Sequence, residues 1–346
     1  MKKIIILSIL MISGSLFAKN AVFSTNIFVE TAYDNNILKL SSNDLVRFKN
    51  GYDPEKFSIK TSDDLITSAK VRLDLKHYKI AGHTQINRIA LKYNKYWQND
   101  FLDYLYLQFS LKQYLSKKFN FELDYYFYPR MFVNKYDSVL DDATHYRDFS
   151  YSKNSYIGKI NYSYSYKFQI NYKFEYSQLF YNKYFTEYDA DNILNEIEIG
   201  VFPLDKLRIF TAYSYKISQA NAANAFDDLQ YVSQVKDASY KADMFALSAD
   251  FPKLVVIYAK LLDLNLKGKY ERYFYQTDDQ LDIYHYGRYD KVITLSSKLG
   301  FDLKKNVSLD LFYQYRFRNT SSPFLQVETD KTYNVSETGL AIRYSL

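Results

Sequence analysis

The chain has 346 residues, a formal net charge of +6 and no cysteine, which excludes disulfide staples, thiolate metal sites and an acylated cysteine anchor. Its 45 basic and 39 acidic residues are interleaved, so there is no basic stripe of the kind that holds nucleic acid, and no nucleic-acid partner is expected. Aromatic residues make up 19% of the chain, with 38 Tyr and 26 Phe, roughly double a soluble domain, yet a mean hydropathy of −0.37 rules out a bundle of apolar membrane helices.

At the N-terminus, Lys2 and Lys3 precede an apolar run from Ile4 to Ile12, followed by Ser13, Gly14, Ser15 and Ala18. That order reads as a secretory signal peptide over residues 1–18, cleaved after Ala18. The run is too short to span a bilayer as a helix. From Lys19 onward no linker or composition shift divides the sequence, so residues 19–346 are read as a single domain.

Period-two alternation dominates that domain. Leu65 to Leu75, Phe119 to Phe127, Phe168 to Phe180, Leu207 to Ile217, Tyr289 to Leu303 and Val307 to Phe317 each place an apolar set on one face and a polar set on the other. The stretch from His83 to Tyr96 alternates poorly, and the one from Leu254 to Phe274 is long enough to hide a bulge. Short joins fall near Ile80 to Gly82, Ser116 to Lys118, Tyr166 to Lys167, Pro203 to Lys206, Phe251 to Lys253 and Lys304 to Asn306. Longer polar joins run Leu40 to Ser62, Asn134 to His145, Glu187 to Asn192, Ala220 to Ala238, Gln276 to Asp282 and Asn319 to Lys331. A further short join is placed at Trp97 to Asp100. Apolar segments of about ten residues with alternating short and long joins imply an all-β fold: one transmembrane antiparallel up-and-down β-barrel of about 14 strands, with 12 as the alternative. The aromatic excess is assigned to the two interfacial girdles of such a wall.

The last segment, Tyr333 to Leu346, alternates Ser336, Thr338, Leu340, Ile342, Tyr344 and Leu346 with Val335, Glu337, Gly339, Ala341 and Arg343. Here the chain resembles the bacterial outer-membrane β-barrel superfamily, porin-like in texture, with Leu346 standing where Phe is usual. The resemblance implies outer-membrane localisation in a diderm bacterium, a bilayer and lipopolysaccharide surround, and recognition of the terminal strand by the barrel-assembly machinery. Tyr33-Asp34-Asn35-Asn36 resembles a motif of uncharacterised barrel proteins. It also reads as an Asx-rich turn.

If the apolar set faces lipid, the other set lines the interior. The candidate lumen and constriction residues are Lys70, Arg72, Asp74, Lys112, Glu122, Asp124, Lys173, Glu175, Glu196, Glu198, Arg208, Asp310, Arg316 and Arg343. So many charges in a dry interior would each cost several kcal/mol, so the lumen is expected to be wet or densely paired. The function that follows is passive diffusion of small hydrophilic solutes, with opposed charges setting the field. The competing reading is a structural, adhesive or assembly barrel with a closed lumen, acting through its extracellular loops. No cofactor, metal or nucleophile motif is present, and an enzyme is not expected; His145 with Asp141 and Asp142, and His285 with Asp282, are the His/carboxylate pairings that a catalytic role could use. The acidic pairs Asp141-Asp142, Asp227-Asp228 and Asp278-Asp279 lack calcium-loop spacing and read as solvated loop tips.

Overall fold

A computed structural model describes residues 21–78, 82–137, 146–221, 236–257 and 260–346. The leader expected at 1–18, His145, Asp141-Asp142 and Asp227-Asp228 lie outside these residues.

Fourteen antiparallel strands close into one barrel. They are β1 (Val22–Asp34), β2 (Asp64–Tyr78), β3 (Thr84–Tyr96), β4 (Tyr104–Tyr114), β5 (Phe119–Asp137), β6 (Tyr146–Ser165), β7 (Phe168–Tyr181), β8 (Ala190–Leu204), β9 (Leu207–Ala220), β10 (Tyr240–Ile257), β11 (Lys260–Tyr275), β12 (Tyr289–Lys304), β13 (Val307–Ser321) and β14 (Tyr333–Ser345). Each strand pairs with its sequence neighbours, and β1 closes on β14 through pairs from Asn26 with Ser345 to Asp34 with Glu337. Closure leaves no sheet edge, which is what lets a sheet sit in hydrocarbon. Two short helices, α1 (Ser42–Lys49) and α2 (Leu325–Lys331), lie in long loops.

The ladder carries one parity around the whole wall. Val71, Leu91, Leu123, Ile197, Leu247 and Leu295 point outward and are exposed, while their strand neighbours point into the bore. Turns on one rim are short and share it with both chain ends; the other rim carries the long loops. Two outward polar groups on this wall are paired across strands: Asn87 with His77 at 3.1 Å, and the Tyr125 hydroxyl with Asn154 Oδ1 at 2.8 Å. Uncapped, such groups would be expensive in lipid.

Two expected joins move. Phe251 to Lys253 is a bulge, where the register shifts between Phe251 and Val255 and Lys253 takes a positive φ of 54°; β10 runs on to Ile257. Pro252 explains the difference, because it lacks the N–H that the ladder needs. Pro129 and Pro203 likewise fall at register shifts in β5 and β8. The join expected at Glu187 to Asn192 lies between Tyr181 and Ala190. A single-turn 3-10 helix at Thr186–Tyr188 uses up the polar residues that looked like the loop centre.

The closure seam has a tight point. A Cβ added at Gly339 would fall 2.5 Å from the Thr31 carbonyl oxygen and 2.6 Å from Phe312 Cζ. Gly339→Ala is therefore expected to destabilise the barrel by about 1 to 3 kcal/mol through overpacking, read as a lower urea midpoint for loss of the heat-modifiable band.

Candidate functional site: the lumen and its loop lid

Every candidate lumen residue occupies an inward position in the ladder. On β2, Lys70, Arg72 and Asp74 alternate with the outward Ala69, Val71 and Leu73. Lys112, Glu122 and Asp124 do the same on β4 and β5; Lys173 and Glu175 on β7; Glu196, Glu198 and Arg208 on β8 and β9; and Asp310, Arg316 and Arg343 on β13 and β14.

The structure brings them together mainly as neighbouring pairs along the wall. Asp74 forms an ion pair with Arg72 at 3.1 Å and accepts a hydrogen bond from Arg88 at 2.8 Å. Glu122 sits 3.6 Å from Lys112 and 3.2 Å from Lys159, and the same lysine reaches Asp124 at 2.7 Å. Lys173 lies 3.8 Å from Glu175 and 4.0 Å from Glu196. Arg316 faces Glu271 at 3.7 Å, and Arg343 faces Asp310 at 3.9 Å. Lys70 is held by Gln108 at 3.4 Å, Glu198 by Asn171 at 2.8 Å, and Arg208 stacks over Phe202.

The bore is wet at one end and filled at the other. Near the short turns, Lys298 and Arg343 point inward yet are 47% and 48% exposed, so water reaches them inside the barrel. A backbone diameter on the order of 25 Å is too wide for wall side chains to fill. Toward the long loops the inward groups are buried: Asp290 is 1% exposed, Val292 2% and Thr320 4%.

Loops from around the rim converge there into a lid. In the first, Leu40, Phe57 and Ile59 form an apolar cluster with Leu45 and Phe48 of α1, and Ser41 caps α1 by accepting from Asp44 N–H at 3.1 Å. Its anchor is the Asp34-Asn35-Asn36 turn. Asp34 accepts from Asn36 N–H at 2.8 Å; the Asn36 side chain exchanges two 2.8 Å bonds with the Leu40 backbone and donates to the Asn334 carbonyl at 3.0 Å. Losing those bonds, Asn36→Ala should loosen this loop by about 2 to 3 kcal/mol, seen as earlier cleavage of the 35–63 segment in limited proteolysis of the folded barrel.

An aromatic knot joins the loop-side ends of β5, β6 and β7 to other loops. Phe149 packs within 5.1 Å of the rings of Tyr136, Tyr181, Phe185 and Tyr188. Tyr188 meets His285 from the loop between β11 and β12. Lys331 of α2 reaches across to lie 5.1 Å over Tyr136 and 5.4 Å over Tyr284. Burial and the nearby Arg288 and Arg318 cations push the Lys331 ammonium below its usual range, and the two rings offset part of that strain. Beneath it, Asp290 accepts from Arg288 at 3.1 and 3.0 Å, from Thr320 at 2.7 Å and from Arg318.

His285 and Asp282 do form a pair, with Nδ1 2.9 Å from the carboxylate. Burial holds the imidazole below the usual histidine range. Its ring meets Tyr188 edge-on and lies 5.3 Å from the tilted ring of Tyr275, an environment of lid packing. At Asp278-Asp279, Asp279 accepts from Leu281 N–H at 2.9 Å, an ordinary turn bond.

Sequence reasoning missed Arg88, Lys92, Glu271 and the Arg288/Asp290/Arg318 set. For Arg88 and Lys92 the signal was present: counting parity back from β4 would have turned them inward although the outward Gln85 and Asn87 blur the pattern.

No family model matches the sequence, and no curated protein matches it. Solved structures of similar architecture include the outer membrane channel DcaP of Acinetobacter baumannii, with 14% identity and a TM-score of 0.49 over 95% of this chain and 99% of that one. OmpT of Vibrio cholerae, an outer membrane protein in its trimer form, gives 7%, 0.48, 95% and 100%. An anion-selective porin from Comamonas acidovorans gives 10%, 0.42, 94% and 99%.

Proposed function

We propose that the chain is an outer-membrane channel for small hydrophilic solutes, exported by a cleaved leader at 1–18 and driven by passive diffusion through a bore that its own loops narrow at the outer mouth. The observation that carries this is the exposure of inward-facing Lys298 and Arg343: a barrel whose wall is charged inside and aliphatic outside encloses water in a membrane. The short-turn rim would then face the periplasm, and the loop rim would lie among lipopolysaccharide.

The charges suit a filter set by local pairs. Lys70, Arg72, Arg88 and Lys92 form a basic strip on two adjacent strands, partly balanced by Asp74 and by Glu30, which lies 3.5 Å from Lys92. A Lys70→Glu/Arg72→Glu double variant should shift the reversal potential in a salt gradient toward cation preference. An unchanged reversal potential in a conducting barrel would remove this strip from the ion path.

The filled outer mouth favours one second reading, a barrel that works through its lid surface with no solute flux. Conductance separates the two.

A further inference from the structure

Tyrosine hydroxyls along the wall are satisfied at some positions and free at others. Outward, Tyr33, Tyr93, Tyr172, Tyr176 and Tyr213 each donate to a carboxylate or amide oxygen at 2.5 to 2.8 Å, as a hydroxyl near hydrocarbon must. The aromatic excess was assigned to interfacial girdles, and these residues fit that assignment. A second group does not. Tyr104 and Tyr106 on β4, with Tyr126 and Tyr128 on β5, occupy inward positions, and among the described residues their hydroxyls have no hydrogen-bond partner.

These four rings form one surface. Tyr106 lies 6.0 Å from Tyr126 and 5.2 Å from Tyr128, centroid to centroid, with tilted planes. All are half-buried, so each keeps part of a face and its hydroxyl toward the bore. Lys70 Nζ is 5.8 Å over the Tyr106 ring and 3.4 Å from Gln108 Oε1, and the Lys92–Glu30 pair stands beside them. Apolar faces, free hydroxyls and charges of both signs are therefore gathered on one side of the lumen.

We propose that this tyrosine patch is a binding subsite for neutral carbohydrate. The C–H face of a pyranose ring would stack on Tyr106 and Tyr128, and its hydroxyls would exchange hydrogen bonds with the unpartnered phenols and with Glu30 and Lys92. The aromatic faces and free hydroxyls outnumber the charges here, and Glu30 is paired with Lys92, which favours a neutral, polyhydroxylated ligand as the one that uses most of this surface. The aromatic platform with a few placed polar groups is how small-ligand sites obtain both affinity and orientation. The proposal rests on the channel reading only for the route by which the sugar arrives, from the wet end of the bore.

The test is calorimetric titration of maltohexaose into the refolded, heat-modifiable 19–346 chain in detergent, which reads binding whether or not the barrel conducts. Saturable heat is expected, with affinity falling up to about tenfold for Tyr106→Leu or Tyr128→Leu and less for Tyr106→Phe, which keeps the ring and guards against a folding defect. Polyethylene glycol of matched size should give no saturable heat. A folded barrel that shows none with maltohexaose, or binds it equally well in the Tyr106→Leu/Tyr128→Leu double variant, would overturn the subsite. Binding in a barrel that is silent in bilayers would uphold it and overturn the channel reading alone.

Discussion

Asp290→Ala is expected to loosen the lid and raise single-channel conductance. The carboxylate is 1% exposed and accepts from Arg288, Arg318 and Thr320. Removing it leaves two guanidinium groups close together in a site with little water, and breaking a buried pair from one side typically costs about 3 to 5 kcal/mol. The barrel wall should survive, because β12 is held by ladders to β11 and β13 along its whole length. The strain instead falls on what rests above Asp290: Arg288 stacks 4.4 Å over Tyr275, and Tyr275 packs on His285. Proteolysis in the 276–288 and 322–332 loops should become faster, and mean conductance should rise with wider fluctuation. Asp290→Asn, which can keep part of the bonding without the charge, should fall between. Conductance and cleavage both at wild-type level would mean that the lid is not held from this point.

The second large effect comes from the parity of the wall. Ile197 points outward at 53% exposure, and Glu196 and Glu198 point inward on either side of it. Ile197→Arg should cost about 2 to 4 kcal/mol if the position lies near the bilayer midplane, and should cut the fraction that folds into vesicles. Glu198→Arg, one residue away, should fold with near-normal yield. Its loss is one hydrogen bond from Asn171 in a wet environment, worth about 1 kcal/mol. Equal folding yields for the two variants would contradict the assignment of faces.

Much of this architecture is legible in the sequence, because a period of two survives wherever the two sides of a wall meet different solvents. Val307 to Phe317 and Tyr289 to Leu303 match β13 and β12 to within a few residues. β3 was weak for a specific reason: Gln85 and Asn87 face outward, and Asn87 is satisfied there by His77, a cross-strand partner that sequence alone does not reveal. The short join placed at Phe251 to Lys253 is a bulge, because a proline that cannot donate to the ladder can be absorbed without ending the strand. The lid was illegible because Lys331 and His285 come from two different loops and meet Tyr136 and Phe149, at the loop ends of β5 and β6, only after the barrel has closed. Tyrosine misled for its own reason: an amphipathic ring suits a lipid interface and a wet bore alike, and only the ladder register tells which it faces.

The charged lumen list held its face and changed its logic. Lys112 with Glu122, Lys173 with Glu175 and Arg343 with Asp310 are neighbours on the wall. Side by side at such distances they brace adjacent strands as well as coat the bore.

The most direct measurement is single-channel recording of the mature chain, 19–346, in a planar bilayer beside Asp290→Ala. A water-filled bore narrowed by its own loops predicts steady, roughly ohmic conductance that rises in the variant. A folded, heat-modifiable barrel that stays silent in both proteins would contradict it and leave the loop surface as the working part.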